Sequence, residues 1–293
     1  MPAPAPAWSP PIPDASGFDH LVVETPGLHT HVAIMGVGEP VVLLHGFPQH
    51  WWQWHAMAPI IAAAGYRVIC PDLRGAGWTV ADDPRIHRET RLRDLLALLD
   101  VLQIDRAHLV AHDMGAITAM QLTYDHPERV RTAVQLSVTP GFMRFDPKLL
   151  PAFRHLPPFV WHRPGASLRG IFSAEYAARP MSDADVEAHL APMGRPDIDG
   201  AVRPLTRHMV LPEAMRMVRG VYRRRRLTVP TLVVFGRRDH PYTEELMGRI
   251  CSRPERYADR LEFAYVDDAA HFITDDAPDA VADLSLDWFE RAA

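Results

Sequence analysis

The chain has 293 residues, 47% of them hydrophobic and 23% charged, which is enough to bury a sizeable core and ordinary for a globular protein. Its net charge of −5 gives no general attraction to nucleic acid or to an anionic membrane surface. No apolar run is long enough to cross a bilayer. Cys70 and Cys251 lack any metal-ligand spacing, so two free thiols in a reducing cytoplasm are expected, with no metal and no cofactor.

The first stretch, "MPAPAPAWSPPIP", has neither the basic start nor the apolar core of a signal peptide. Its prolines predict an extended, mobile arm over residues 1–17. Residues 20–24 and 30–36 predict an opening hairpin. "VVLLH" at 41–45 and "RVICP" at 67–71 predict short buried strands, with a helix over 53–64 between them. "ETRLRDLLALLDVLQI", 89–104, carries apolar residues at helical spacing and predicts a helix. "AHLVAH" and "VRTAVQLSV" are the next two strands, joined by a helix over 115–126.

The alternation then stops. Residues 139–228 are rich in Pro, Arg and Met and show short helical patches without a convincing strand. Strands resume at "PTLVVFG", 230–236, and "LEFAYV", 261–266, before a closing helix over 278–291. The order predicts an α/β core of mostly parallel sheet flanked by helices, made of residues 18–138 and 229–293, with a helical segment inserted over 139–228. The Arg223–Arg226 run is read as a solvated return to the core.

Three loops at strand ends carry candidate chemistry. In Ala111-His112-Asp113-Met114-Gly115, small residues stand two positions either side of an aspartate between a strand and a helix. That is what a tight strand–nucleophile–helix turn requires, although Asp113 could equally be a plain helix cap. No G-x-S-x-G occurs elsewhere. "HGFP", 45–48, follows a buried strand, so the Phe47 and Met114 amides could hold an oxyanion; the alternative is a simple Gly-Pro turn. Asp239 in "VVFGRRD" and His271 in "DDAAHF" follow later strands, giving the order nucleophile, acid, histidine.

From about residue 18 the chain resembles the α/β-hydrolase superfamily with a helical cap. "HGFPQHWWQW", "DLRGAGW", "AHDMGA" and "DHPERV" resemble its epoxide hydrolase branch in particular. The resemblance implies Asp113 as nucleophile, Asp239 and His271 as its relay, 139–228 as the cap, and a cis peptide at Phe47-Pro48. Tyr222, in "GVYRR", and more loosely Tyr176, in "SAEYAA", would be cap acids for the departing oxygen. His45, Pro48, Trp51, His112 and Trp161 are expected as pocket wall. The substrate would be a small apolar epoxide, with water as co-substrate, and a homodimer is left open.

An aspartate suits this chemistry. A carboxylate with an unperturbed pKa of about 4 is ionised at neutral pH and attacks a saturated carbon without a base. The resulting ester is cleaved by water that His271 activates. A haloalkane or haloacid dehalogenase would use the same nucleophile, but Met114 cannot donate a side-chain hydrogen bond to halide. A ligand-binding protein that kept the fold without turnover is the third reading. Elsewhere, His29 and His31 lack a metal pattern and are assigned to a surface hairpin, Gly75-Ala76-Gly77 to a structural turn, and Trp51, Trp52 and Trp54 to core and pocket wall.

Overall fold

A computed structural model describes residues 9–154 and 156–292. The expected opening hairpin forms from β1 (Asp19–Thr25) and β2 (Leu28–Met35), which pair antiparallel. Pro26 and Gly27 make the two-residue turn, Gly27 taking φ +76°, which few other residues adopt. β3 (Glu39–Leu44) and β4 (Tyr66–Pro71) follow, then a two-residue β5 (Val80–Ala81) that the hydrophobic pattern does not reveal. β6 (Ala107–His112), β7 (Val130–Leu136), β8 (Thr231–Gly236) and β9 (Leu261–Val266) complete a sheet ordered β1-β2-β4-β3-β6-β7-β8-β9, with β5 beside β2. From β4 to β9 every neighbouring pair is parallel.

Successive strand residues feed opposite faces, as the two-residue period demands. On β3, Val42 and Leu44 join one apolar layer while Val41 and Leu43 join the other; Leu109 and Val110 on β6 divide the same way. The first layer is closed by α2 (Thr90–Val101) and α3 (Asp113–Asp125). The second is closed by α1 (Ala58–Ala63) and the last helix, Pro278–Ala292, through Ile61, Val281, Trp288 and Phe289.

Two local expectations need correction. The helix expected over 53–64 is broken into a 3-10 turn, Trp51–Trp54, and α1, because Pro59 lacks an N–H and is tolerated only in a first turn. Of the arm expected to be mobile, residues 1–8 lie outside the described residues. The rest is held down: the Trp78 indole donates to Pro10 O at 2.6 Å, and Ile12 and Ala15 pack on the second layer.

The segment between β7 and β8 is helical, with no strand among its described residues. It contains α4 (Leu156–Val160), α5 (Asp183–Leu190), α6 (Pro196–Pro204) and α7 (Leu211–Val218). A π-helical turn, Leu205–Val210, joins α6 to α7. Pro204 and Pro212 each remove a helical donor, and the wider turn falls between them. After β8 a further helix, α8 (Glu244–Ile250), is capped by Thr243, whose hydroxyl accepts from Leu246 N–H. No helix among the described residues is long and apolar enough to cross a membrane.

Candidate active site

Strand order decides where the candidate loops meet. The chain leaves β3 for β4 on one side, and β6 later pairs with β3 on the other. The connections diverge there, opening a crevice beyond the carboxyl ends of the strands, where ligands of open α/β sheets bind. "HGFP" leaves β3 and Asp113 leaves β6 at that crevice; Asp239 and His271 follow β8 and β9 along the same edge.

The turn at Asp113 is tight for steric reasons. Asp113 takes φ +46°, a left-handed conformation that costs a non-glycine residue about 1–3 kcal/mol. A Cβ at Gly115 would stand 2.3 Å from Leu44 O and 2.5 Å from His45 O, so only glycine lets α3 start this close to β3. A Cβ at Gly46 would meet His112 Nδ1 at 2.7 Å and Asp113 Cβ at 2.9 Å. Asp113 is not a plain helix cap. Its Oδ2 accepts from Phe47 N–H across the crevice at 3.0 Å, and the Phe47-Pro48 peptide is cis.

His271 stands between two carboxylates. Its Nδ1 is 3.4 Å from Asp239 Oδ2, and its Nε2 is 3.9 Å from Asp113 Oδ1. The 3.4 Å contact is a loose ion pair, and no other donor among the described residues reaches Asp239 Oδ2. Contacts of this kind commonly tighten only when substrate is bound. Burial would lower the His271 pKa, but Asp239 and then Asp113 outweigh it and raise it above its ordinary value. The His271 carbonyl is pinned by His112 Nε2 at 2.8 Å and Ser137 Oγ at 3.1 Å, both donating.

Several expected pocket residues are scaffold. His45 donates from Nδ1 to Gly46 O at 2.6 Å and accepts Leu73 N–H at Nε2 at 2.9 Å, the pattern of one neutral tautomer. Burial, assisted by the neighbouring Arg91, holds its pKa down at about 4, so it is neutral at pH 7. Gly46 N–H donates to Gln53 Oε1 at 2.9 Å, and the loop is thereby fixed. His112 is likewise held at about 4, by burial and then by His271. Trp51 is fully buried against Phe18 and His20, inside the core. Trp161 is 67% exposed, on the outer surface. His31, assigned to a surface hairpin, is instead fully buried, with Nδ1 2.7 Å from Asp72 Oδ2.

Above Asp113 and His271 lies a cavity of about 120 Å³. Its wall is mostly apolar, including Ile117, Met143, Phe153, Val210 and Met217, and contains no Lys or Arg. A larger cavity of about 580 Å³ between the 74–87 loop and α6 contains none of Asp113, Asp239 or His271. The candidate chemistry therefore belongs to the smaller one. Of the two tyrosines expected over the site, Tyr176 has its ring 6.5 Å from that of His271, edge-on. Tyr222 is elsewhere. It is buried against Tyr124 with its hydroxyl donated to the buried Glu213, and it does not line the cavity. The tyrosine that does line it, Tyr242, escaped the sequence reading; the only signal was its place three residues after Asp239.

The chain belongs to the alpha/beta hydrolase family, whose model matches residues 41–284. "Epoxide hydrolase 2" of Siraitia grosvenorii is 41% identical over 143 residues, 47% of this chain and 45% of that protein. A "Fluoroacetate dehalogenase" of a Burkholderia species is 32% identical over 135 residues, 44% of each. The matches thus span less than half the length of these relatives. Among solved structures, epoxide hydrolase VrEH1 from Vigna radiata superposes with a TM-score of 0.73 at 26% identity, covering 94% of this chain and 98% of that one.

Proposed function

We propose that the protein is an epoxide hydrolase that opens a small apolar epoxide to a vicinal diol through an ester on Asp113. The observation that carries this reading is the elbow carboxylate, held by Phe47 N–H and facing His271, which faces Asp239. Asp113 attacks a ring carbon and the ring C–O bond breaks. His271 then takes a proton from water, which attacks the ester carbonyl while the Phe47 and Met114 amides hold the oxyanion. Single donors of this type contribute roughly 100- to 1,000-fold. Residues 139–228 serve as the cap, since Met143, Phe153, Val210 and Met217 come from that segment.

The names of the Siraitia and Vigna proteins support this reading, and the Burkholderia relative supports the same nucleophile used on halide. The cavity wall favours the epoxide over a haloacid. A substrate carboxylate would need a cation, and the wall contains no Lys or Arg. In oxygen-18 water, a single turnover of an aryl epoxide should place the label in Asp113 and leave the first diol unlabelled. Label in that first diol would mean that water attacks the ring directly, and the ester mechanism would fail.

A further inference from the structure

An epoxide oxygen leaves as a strongly basic alkoxide, so ring opening requires a proton donor beside the nucleophile. The polar side chains lining the cavity with Asp113 are Ser137, Thr139, Tyr242 and His271. Ser137 is committed to the His271 carbonyl. His271 is needed as a base in the later step. Thr139 is an aliphatic alcohol, a far weaker acid than a phenol. Tyr222, whose sequence context suggested a donor, has spent its hydroxyl on Glu213 outside the cavity.

We propose that Tyr242, on the core loop after β8, is the acid that protonates the opening epoxide. This rests on the epoxide hydrolase reading and names a residue of that reaction. Tyr242 sits in the turn that carries Asp239: its N–H donates to the Asp239 backbone carbonyl at 2.9 Å, and its ring stacks on buried Phe235 with centroids 5.0 Å apart at 22°. The ring is therefore held against the sheet through Phe235 of β8. Burial, with Asp239 and Asp113 adding to it, pushes the phenol well above its ordinary range, so it stays protonated throughout the neutral region.

The step balances. An Asp113 oxygen forms a bond to the ring carbon, the C–O bond breaks with its electrons on oxygen, and the Tyr242 proton moves to that oxygen, leaving phenolate. When His271 deprotonates water in the second step, the proton left on the imidazolium restores the phenol. Epoxide plus water then yields diol.

The test uses His271→Gln as the parent, because blocked hydrolysis lets the Asp113 ester accumulate for intact-mass measurement. Adding Tyr242→Phe should slow ester formation from an aryl epoxide by about 100- to 10,000-fold. Ester formation from a bromoalkane should continue at the parent rate, because bromide leaves without a proton. Epoxide opening at the parent rate overturns the proposal, and so does equal slowing on both substrates, which marks lost packing. A parent that forms ester with bromoalkanes and with no epoxide overturns the epoxide hydrolase reading, and this proposal with it.

Discussion

At the residue scale, His271 is the group whose protonation state limits the proposed second step. It must be neutral to take a proton from water, and its pKa is raised above the ordinary 6.5 by Asp239 and Asp113 against the effect of burial. Ester hydrolysis should therefore rise with pH along a single limb set by loss of the His271 proton. Once Asp113 is esterified its charge is gone and Asp239 is the raising charge that remains, so Asp239→Asn should move the limb to lower pH as the rate falls. Single-turnover deacylation measured across pH 5–9 checks both. An unmoved limb in Asp239→Asn would exclude Asp239 from the relay. The residue types were legible because a carboxylate two positions from small residues after a buried strand is locally distinctive. Tyr242 was not, because what makes it a candidate is a cavity wall assembled from α3, the loop after β8 and the insertion.

At the element scale, the main finding is how the helical insertion is tied to the core. Glu213 on α7 is fully buried, and its carboxylate accepts from Arg88 at 2.7 Å, Gln121 of α3 at 3.0 Å and the Tyr222 hydroxyl. Tyr222 thus belongs to a buried latch, and burial followed by Glu213 raises its phenol pKa. Removing one donor to a buried charge costs on the order of 1.5–3 kcal/mol. Tyr222→Phe should accordingly lose about that much stability in urea unfolding while ester formation from an epoxide stays at the wild-type rate. Glu213→Ala should cost about 3–5 kcal/mol, since Arg88 loses its buried partner. A stable Tyr222→Phe with slowed epoxide opening would return Tyr222 to the acid role. Apolar residues at helical spacing made α2 readable, and α3, buried nearly all round, was placed by the two strands it joins, whereas Pro59 split one expected helix and the short α8 left too few turns for a pattern.

At the scale of the whole molecule, several histidines are buried in neutral form around the sheet edge. Burial, the first cause in each, holds His45 and His112 at about 4 and His50 at about 3. Their unfolded values lie near 6.5, so between 6.5 and about 4 the unfolded chain binds more protons. Stability from this source is therefore full above 6.5 and drains as pH falls. Asp72 differs: burial alone would raise it, but His31 and its hydrogen bond bring it down to about 2. Its contribution is present above its ordinary 3.8 and is lost only as pH falls through 2. The urea midpoint should decline between pH 6.5 and 4, before carboxylate titration dominates. A flat midpoint over that range would mean that the buried histidines gain protons without unfolding.

Taken alone, the amino-acid sequence determined the alternation of strands and helices, the place of the insertion and the loops carrying Asp113, Asp239 and His271. Each is a local matter, set by a two- or 3.6-residue apolar period and by glycines and prolines acting on their own neighbours. The tertiary structure alone decided that His45 and Trp51 are scaffold, that Trp161 points outward, and that Tyr242 rather than Tyr222 shares a cavity with the carboxylate. Those outcomes depend on which side chains from distant segments fill the same space. Tyr222 and Glu213 lie nine residues apart, but Arg88 and Gln121 reach Glu213 across 125 and 92 residues, a convergence that no local pattern encodes.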